Sequence, residues 1–310
     1  MIKCNICGCP TTPIEVKEQM MGLNERFVYS QCVNCGHTHL NTVPQNMSKY
    51  YNAKEYYSFK DGSSVVRNIV GRSLTFIKKK LLQLNIKKSI LYSSALKSLQ
   101  LIDGIDKNDL ILDYGCGAGQ FVNELNTLGF KNARGFDPFL PEDKMYKGEL
   151  CLTKNLDALK APCWDIITLN HVFEHLENPI ERLRSLNKLL CVRGKLLLRF
   201  PIIDSFAFEK YRENWVQFDA PRHLNLFTRK SIKMAVEKAG NFRILAMHDD
   251  SFHFQFTGSE LYLKKLSLSP KDNSRIKRLL KFKTYQYHFL AKKLNKQNKG
   301  DQMVIILEQI

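Results

Sequence analysis

The sequence predicts an α/β fold built on a doubly wound, mostly parallel sheet. Three observations carry that expectation. Leu110, Ile111 and Leu112 form a short apolar run, as a strand buried on both faces requires. Asp113 and glycines at 115, 117 and 119 follow, and then a helical pattern of Phe121, Val122, Leu125 and Leu128 that Gly129 stops. Beyond this unit, strand-like and helix-like segments alternate. A strand that passes through a Gly-rich turn into a helix brings backbone N–H groups to a ligand at the carboxyl end of the sheet.

The glycine spacing narrows the ligand. A dinucleotide fingerprint reads G-x-G-x-x-G, whereas here it is Gly115-Cys116-Gly117-Ala118-Gly119, with Asp113 two places before it. That pattern resembles motif I of the class I S-adenosylmethionine (SAM) methyltransferases. SAM has a cationic methionine end and a ribose. Asp113 at the strand end suits the ammonium, and the glycines let the backbone pass close to the cofactor.

At 310 residues the chain is long enough for one large domain with additions, or for two domains. No run of 18 apolar residues suggests a membrane span, and the opening MIKCNICGCP lacks an apolar signal core. The expected location is therefore the cytoplasm, where the nine cysteines serve as ligands or buried apolar groups rather than disulfides. The net charge of +17 is concentrated late in the chain. Residues 264–299 carry twelve Lys and Arg against one acid, Asp272.

In chain order, Cys4-x-x-Cys7 and Cys32-x-x-Cys35 come first, each pair followed by a glycine (Gly8, Gly36) that permits a tight turn. Two such pairs predict a tetrahedral Cys4 zinc site. With four thiolates it has no open position, so it is structural rather than catalytic. Cys9, His37 and His39 are expected to lie at the surface. Residues 1–45 are read as a zinc ribbon and 46–105 as a linker and helical cap. The linker is rich in tyrosine (Tyr50, Tyr51, Tyr56, Tyr57), and apolar residues recur at helical spacing over 67–102.

Residues 106–310 are read as the SAM-binding domain. Ala133–Phe136 makes the second strand, and Asp137 at its end suits the ribose hydroxyls. Glu149–Leu152 makes the third, with Asn155 beyond it where an adenine would lie. Asp165–Leu169 makes the fourth, with Asn170 and His171 at its carboxyl end and Glu174-His175 next. Asn178-Pro179 opens a helix, and Lys195–Phe200 is the fifth strand. The connection from Pro201 to Thr228 is long enough for a lid or substrate wall. It holds Trp215 and the run Asp219-Ala220-Pro221-Arg222-His223-Leu224. Phe242–His248 and Gln302–Gln309 are the last strands, and between them 249–301 forms a basic helical insertion. Its Ile276, Leu279, Leu280, Tyr287, Leu290, Ala291 and Leu294 recur at helical spacing. A basic amphipathic helix can cover the core, lie on an anionic membrane or bind a polyanion.

From about Leu101 onward the chain resembles class I SAM-dependent methyltransferases. Its Pro-Arg-His turn and the Cys-pair unit followed by paired tyrosines resemble bacterial methyltransferases of sugar and cell-surface polysaccharide pathways. The resemblance implies a seven-stranded sheet with an antiparallel last strand, SAM as cofactor and structural zinc. It also implies O-methylation of a sugar or glycan-type acceptor, phosphate-bearing or lipid-linked. The expected cofactor residues are Asp113, Gly115, Gly117, Gly119, Asp137, Asn155 and Asn170. A hydroxyl acceptor needs a base, for which His175, His223 and His171 are the candidates. Arg222 and Trp215 are the expected substrate contacts, and peripheral membrane contact is expected through 264–299. Two alternatives are an RNA methyltransferase with a zinc ribbon, favoured by the positive charge, and a non-catalytic binding protein. The intact Asp113, glycines and Asp137 speak against the second.

Overall fold

The computed structural model describes residues 2–51, 76–81, 92–268 and 274–310. Tyr56, Tyr57, most of the helical pattern over 67–102 and the side chains of Ile276, Leu279 and Leu280 lie outside the described residues.

A small antiparallel sheet opens the chain, with β1 (Thr11–Lys17) paired to β2 (Arg26–Cys32) and β2 to β3 (Thr38–Leu40). Helix α1 (Ser94–Leu99) starts where the Ser93 side chain accepts from the Leu96 amide. The main alternation then runs β4 (Ile111–Tyr114), α2 (Gln120–Leu128), β5 (Ala133–Phe136), β6 (Lys144–Tyr146), β7 (Glu149–Thr153), β8 (Trp164–Asn170), α3 (Pro179–Asn187) and β9 (Leu190–Pro201). After it come α4 (Phe206–Tyr211), β10 (Asn225–Leu226), α5 (Arg229–Ala239), β11 (Phe242–Asp249), α6 (Phe254–Leu263), α7 (Ser274–Lys296) and β12 (Gln302–Gln309).

The large sheet has the order β11-β12-β9-β8-β4-β5-β7-β6. Its five central strands, β9 to β7, are parallel, and β12 runs antiparallel between β9 and β11. The strand count corrects the expectation of seven. Lys144–Tyr146 folds back antiparallel on β7 and adds an eighth at the edge. Alternating residues of the central strands bury opposite faces, as a two-sided sheet demands. Leu112, Ile167, Leu196, Leu198 and Ile305 join one core, while Ile111, Ile166, Leu197, Val304 and Ile306 join the other.

A third core lies beyond the sheet. The connection after β9 is not a solvent-facing lid. Its Ile203, Ala207, Tyr211, Trp215, Phe218 and Leu224 pack with Val16, Tyr29 and Leu40 of the first sheet and with Phe256, Ala291 and Leu294 of the late helices. Strand β10, from that same connection, completes the first sheet by pairing Asn225 with His39 and Leu226 with Thr38. His37, expected at the surface, is fully buried here, and its Nε2 lies 3.1 Å from Asn225 Oδ1.

One cysteine expectation is also overturned. Cys163 and Cys191 form a disulfide, with Cα atoms 4.9 Å apart. Parallel pairing places Trp164 opposite Leu190, and this brings the residue before one and the residue after the other together.

A buried polar joint forms around Arg222. It is fully buried and bonded to both oxygens of Asp219, with Nε donating to Oδ2 at 2.9 Å. Its Nη1 donates to the Tyr50 carbonyl at 2.9 Å, and Glu18 lies 3.8 Å away. Burial opposes the charge on Asp219, but the guanidinium outweighs it and holds the carboxyl down at about 2. Removing one partner of a buried pair leaves the other uncompensated. Asp219→Ala is therefore expected to cost about 3–5 kcal/mol, read as a fall in chemical-denaturation midpoint. A depressed folded pKa also gives the pH sign. The wild-type contribution of Asp219 is complete above its ordinary 3.8 and lost as pH falls through about 2, and the variant should lack that acid-sensitive increment.

Candidate active site

The turn after β4 is formed by glycines at φ 80°, 53° and 83° (Gly115, Gly117, Gly119), a region that L side chains rarely enter. Space reinforces the choice. A Cβ on Gly115 would meet Val172 Cγ2 at 2.4 Å, and one on Gly119 would meet Leu152 Cδ1 at 2.2 Å. Gly119 also caps α2 in the left-handed conformation, so the helix begins directly over the strand end.

Asp113 is buried at the carboxyl end of β4. Its Oδ1 accepts from Thr168 Oγ1 at 2.8 Å and from Asn170 Nδ2 at 3.4 Å. Burial pushes the carboxyl up to about 6, against those hydrogen bonds. Asn170 Oδ1 is buried without a hydrogen-bond partner. An acidic oxygen and an orphaned amide oxygen together call for a ligand that only donates, as an ammonium does. Asp137, at the end of β5, accepts from the Gly117 amide at 2.8 Å through Oδ2 and from the Phe139 amide at 2.9 Å through Oδ1. It therefore ties the glycine turn to the neighbouring strand.

A histidine cluster adjoins this end. His171 follows Asn170 at φ 55°. Its Nδ1 lies 3.3 Å from Glu174 Oε1, and its side chain is 27% exposed, so it alone of the three expected histidines combines a carboxylate at its shoulder with partial exposure. Nδ1 of His175 lies 2.8 Å from the Arg222 carbonyl and 3.3 Å from Tyr51 Oη. Nδ1 of His223 lies 2.8 Å from the Gln217 carbonyl, and its ring meets that of His175 edge-on at 4.7 Å. Burial pushes His223 down to about 4, so its imidazole is neutral at pH 7.

A family model described as a methyltransferase domain matches residues 90–246, half of the chain. The chain belongs to the methyltransferase-domain family. Residues 90–246 are thus a SAM-dependent methyltransferase domain on an α/β, mostly parallel sheet. The tRNA U34 carboxymethyltransferase of Helicobacter pylori (strain G27) is 29% identical over 112 residues, which are 32% of this chain and 43% of that protein. The Helicobacter acinonychis protein of the same name is 27% identical over the same spans. The chain thus spans less than half the length of these curated relatives. Among solved structures, a SAM-dependent methyltransferase from Archaeoglobus fulgidus aligns at 18% identity and TM-score 0.41, covering 76% of this chain and 94% of that one. One from Mesorhizobium loti aligns at 14% and 0.40, covering 66% and 94%.

The expected residues are placed unevenly in and around this domain. Asp113, the three glycines, Asp137 and Asn170 gather at the carboxyl ends of β4, β5 and β8. Asn155 lies at the end of β7, but its side chain caps the turn Leu156–Leu159 by accepting from the Asp157 amide at 3.2 Å. Trp215 and Arg222 do not face a substrate space. Trp215 is fully buried and donates to Asp301 at 3.0 Å, and Arg222 is spent on Asp219 and Tyr50. Cys4, Cys7, Cys32 and Cys35 converge within 4.8 Å of one another, with Cys4 and Cys35 sulfurs 3.6 Å apart and those of Cys7 and Cys32 3.3 Å apart. Four thiols at that spacing could share one metal ion, since a tetrahedral zinc site sets its sulfurs about 3.8 Å apart.

Sequence reasoning did not single out Glu174, Thr168 or Tyr51 as site residues. Glu174 had a signal, since it sits between two histidines in a run that follows a buried strand. Thr168 had none beyond its place within β8.

The charge on Asp113 gives a pH prediction. If it faces the SAM ammonium, calorimetric SAM affinity should be flat above about pH 7 and fall as pH drops through about 6, where the carboxyl takes up a proton. Asp113→Asn should weaken binding about 10–100-fold at pH 8, the worth of one charged hydrogen bond, and flatten the profile.

Proposed function

We propose that this methyltransferase transfers the methyl group of SAM to a hydroxyl of a sugar or glycan-type acceptor, with His171 as the general base. The observation that carries the reading is the His171–Glu174 pair beside the cofactor end. With Nδ1 turned to a carboxylate, the neutral ring keeps its lone pair on Nε2, the arrangement a base needs. SAM, when bound, supplies an electrophilic methyl carbon. Asp113 and Asn170 hold the donor end, and the glycine turn lets it approach the sheet. His171 then takes the hydroxyl proton as the acceptor oxygen bonds to the methyl carbon, and the C–S electron pair leaves with the sulfur. The Cys4 cluster is proposed to hold structural zinc.

The late basic segment supports a membrane-proximal, lipid-linked acceptor. On α7, Ala291 and Leu294 are buried, while Phe282, Tyr285 and Phe289 are 79%, 72% and 52% exposed among lysines. Spacings of three and four put the three aromatics on one face, which suits the interface of an anionic bilayer. No helix among the described residues is long and apolar enough to cross a membrane. Sedimentation with anionic vesicles should pull down the wild type. Replacing all three aromatics with alanine should release it, and equal binding by the variant would sink the idea.

The relatives named for tRNA modification favour a second reading, RNA as acceptor. A labelled-methyl screen of nucleotide sugars, lipid-linked glycans and RNA separates the two. We expect label in a glycan hydroxyl as an ether. Label confined to RNA would favour the second reading. His171→Ala should lower kcat by about 10²–10⁴-fold with SAM affinity unchanged. Near-normal turnover would remove His171 as the base.

A further inference from the structure

Glu174 is anomalous. It is fully buried, and neither carboxylate oxygen has a partner in hydrogen-bond geometry; His171 Nδ1 stands 3.3 Å from Oε1 as an ion-pair contact only. An ionised carboxylate taken out of water without hydrogen bonds costs several kcal/mol, and one neutral imidazole beside it offsets little of that. Its surroundings sharpen the anomaly. His175 and His223 each aim Nδ1 at a backbone carbonyl, those of Arg222 and Gln217, both at 2.8 Å. A carbonyl only accepts, so those nitrogens carry the ring hydrogens. In each neutral imidazole the lone pair is then left on Nε2. For His223 that atom faces Glu174 Oε1 at 3.9 Å and Asp219 Oδ2 at 3.7 Å, both beyond hydrogen-bond reach. Electron-rich atoms thus confront one another across a small gap. Imidazoles pinned through one nitrogen to a carbonyl, with the other turned to a shared centre, are the way proteins present histidine to metals.

We infer that Glu174, His175 and His223 form a binding site for one divalent transition-type cation, separate from the cysteine cluster. One ligand atom of each, a carboxylate oxygen of Glu174 and one ring nitrogen of each histidine, lies within 4.8 Å of the others. Bonds of about 2.0–2.2 Å ask for separations of about 3.0–3.5 Å, so the side chains need to close by about an ångström. Two imidazoles and one carboxylate favour Zn²⁺, Fe²⁺, Co²⁺ or Mn²⁺ over Mg²⁺ or Ca²⁺. Three protein ligands leave a position open. The inference rests on the hydroxyl-acceptor reading for its use. A hydroxyl at the open position becomes more acidic, and His171, which is not one of the three ligands, receives its proton.

Two equivalents of metal are expected on the full-length protein. After mild chelation that leaves cysteine-bound metal in place, the chain is titrated with Co²⁺. Binding is followed by visible absorption and elemental analysis, and SAM binding by calorimetry. The cysteine cluster retains its metal or shows thiolate charge transfer. The second site should take one Co²⁺ with weak d–d bands and no thiolate band. Glu174→Gln and His223→Asn, each checked by near-UV circular dichroism, should lose that equivalent while binding SAM normally. If the wild type takes no Co²⁺ outside the cysteines, or both variants keep it, the metal site is overturned. Intact SAM binding would then leave the methyltransferase reading standing. Absent SAM binding in the wild type would instead strike the methyltransferase reading itself.

Discussion

One buried cation organises this protein. The Arg222 guanidinium has no solvent, and its compensation comes from separate parts of the chain: Asp219 in its own turn, the Tyr50 carbonyl, and Glu18 nearby. Glu18 is itself held by the Met21 and Leu23 amides at 2.8 and 2.9 Å. A charge so placed tolerates no loose partner, and the backbone around it is equally committed. The Arg222 carbonyl meets His175, the His223 carbonyl accepts from Tyr29 Oη at 3.0 Å, and the Leu224 amide donates to the Glu174 carbonyl at 2.8 Å. The N-terminal sheet is therefore a wall supporting the histidine cluster. Thr228 Oγ1 completes the link by donating to the Cys35 carbonyl at 2.6 Å.

The cofactor end depends on backbone shape more than on side chains. The positive-φ Gly115 and Gly119 leave room that Val172, just past β8, and Leu152, on β7, fill. His171, not a glycine, is also at positive φ, which costs on the order of 1 kcal/mol or more. That conformation turns the chain sharply at the end of β8. The step from Asn170, which touches Asp113, to Glu174, which meets the histidines, is thereby kept within five residues. The Asp113–Asn170 contact and the His171–Glu174 pair therefore adjoin at one end of the sheet.

The basic insertion shows how far a charge pattern can mislead or inform. Its excess of lysine was visible at once, but charge alone did not say which apolar residues were covered. Tyr287, Leu290, Ala291 and Leu294 turn toward the third core, and Phe282, Tyr285 and Phe289 do not. Both sets recur at helical spacing, so only the packing of α7 against its neighbours separates them.

By itself the sequence determined what short-range physics controls. The apolar run into three glycines, Asp113, Asp137 at the end of the next strand, the helix stop at Gly129 and the two cysteine pairs are each written in a stretch of a few residues. There, conformational preference and residue type act directly. Tertiary structure alone decided the partnerships: Glu174 with His223, Arg222 with Tyr50, Cys163 with Cys191, and the third core that turned an expected substrate wall of Trp215 and Arg222 into interior. Those pairs stand 28 to 172 residues apart. Their energies come from exclusion of water and from which charges are left facing one another. Neither is expressed in a local pattern, because each exists only once the distant segment has packed into place.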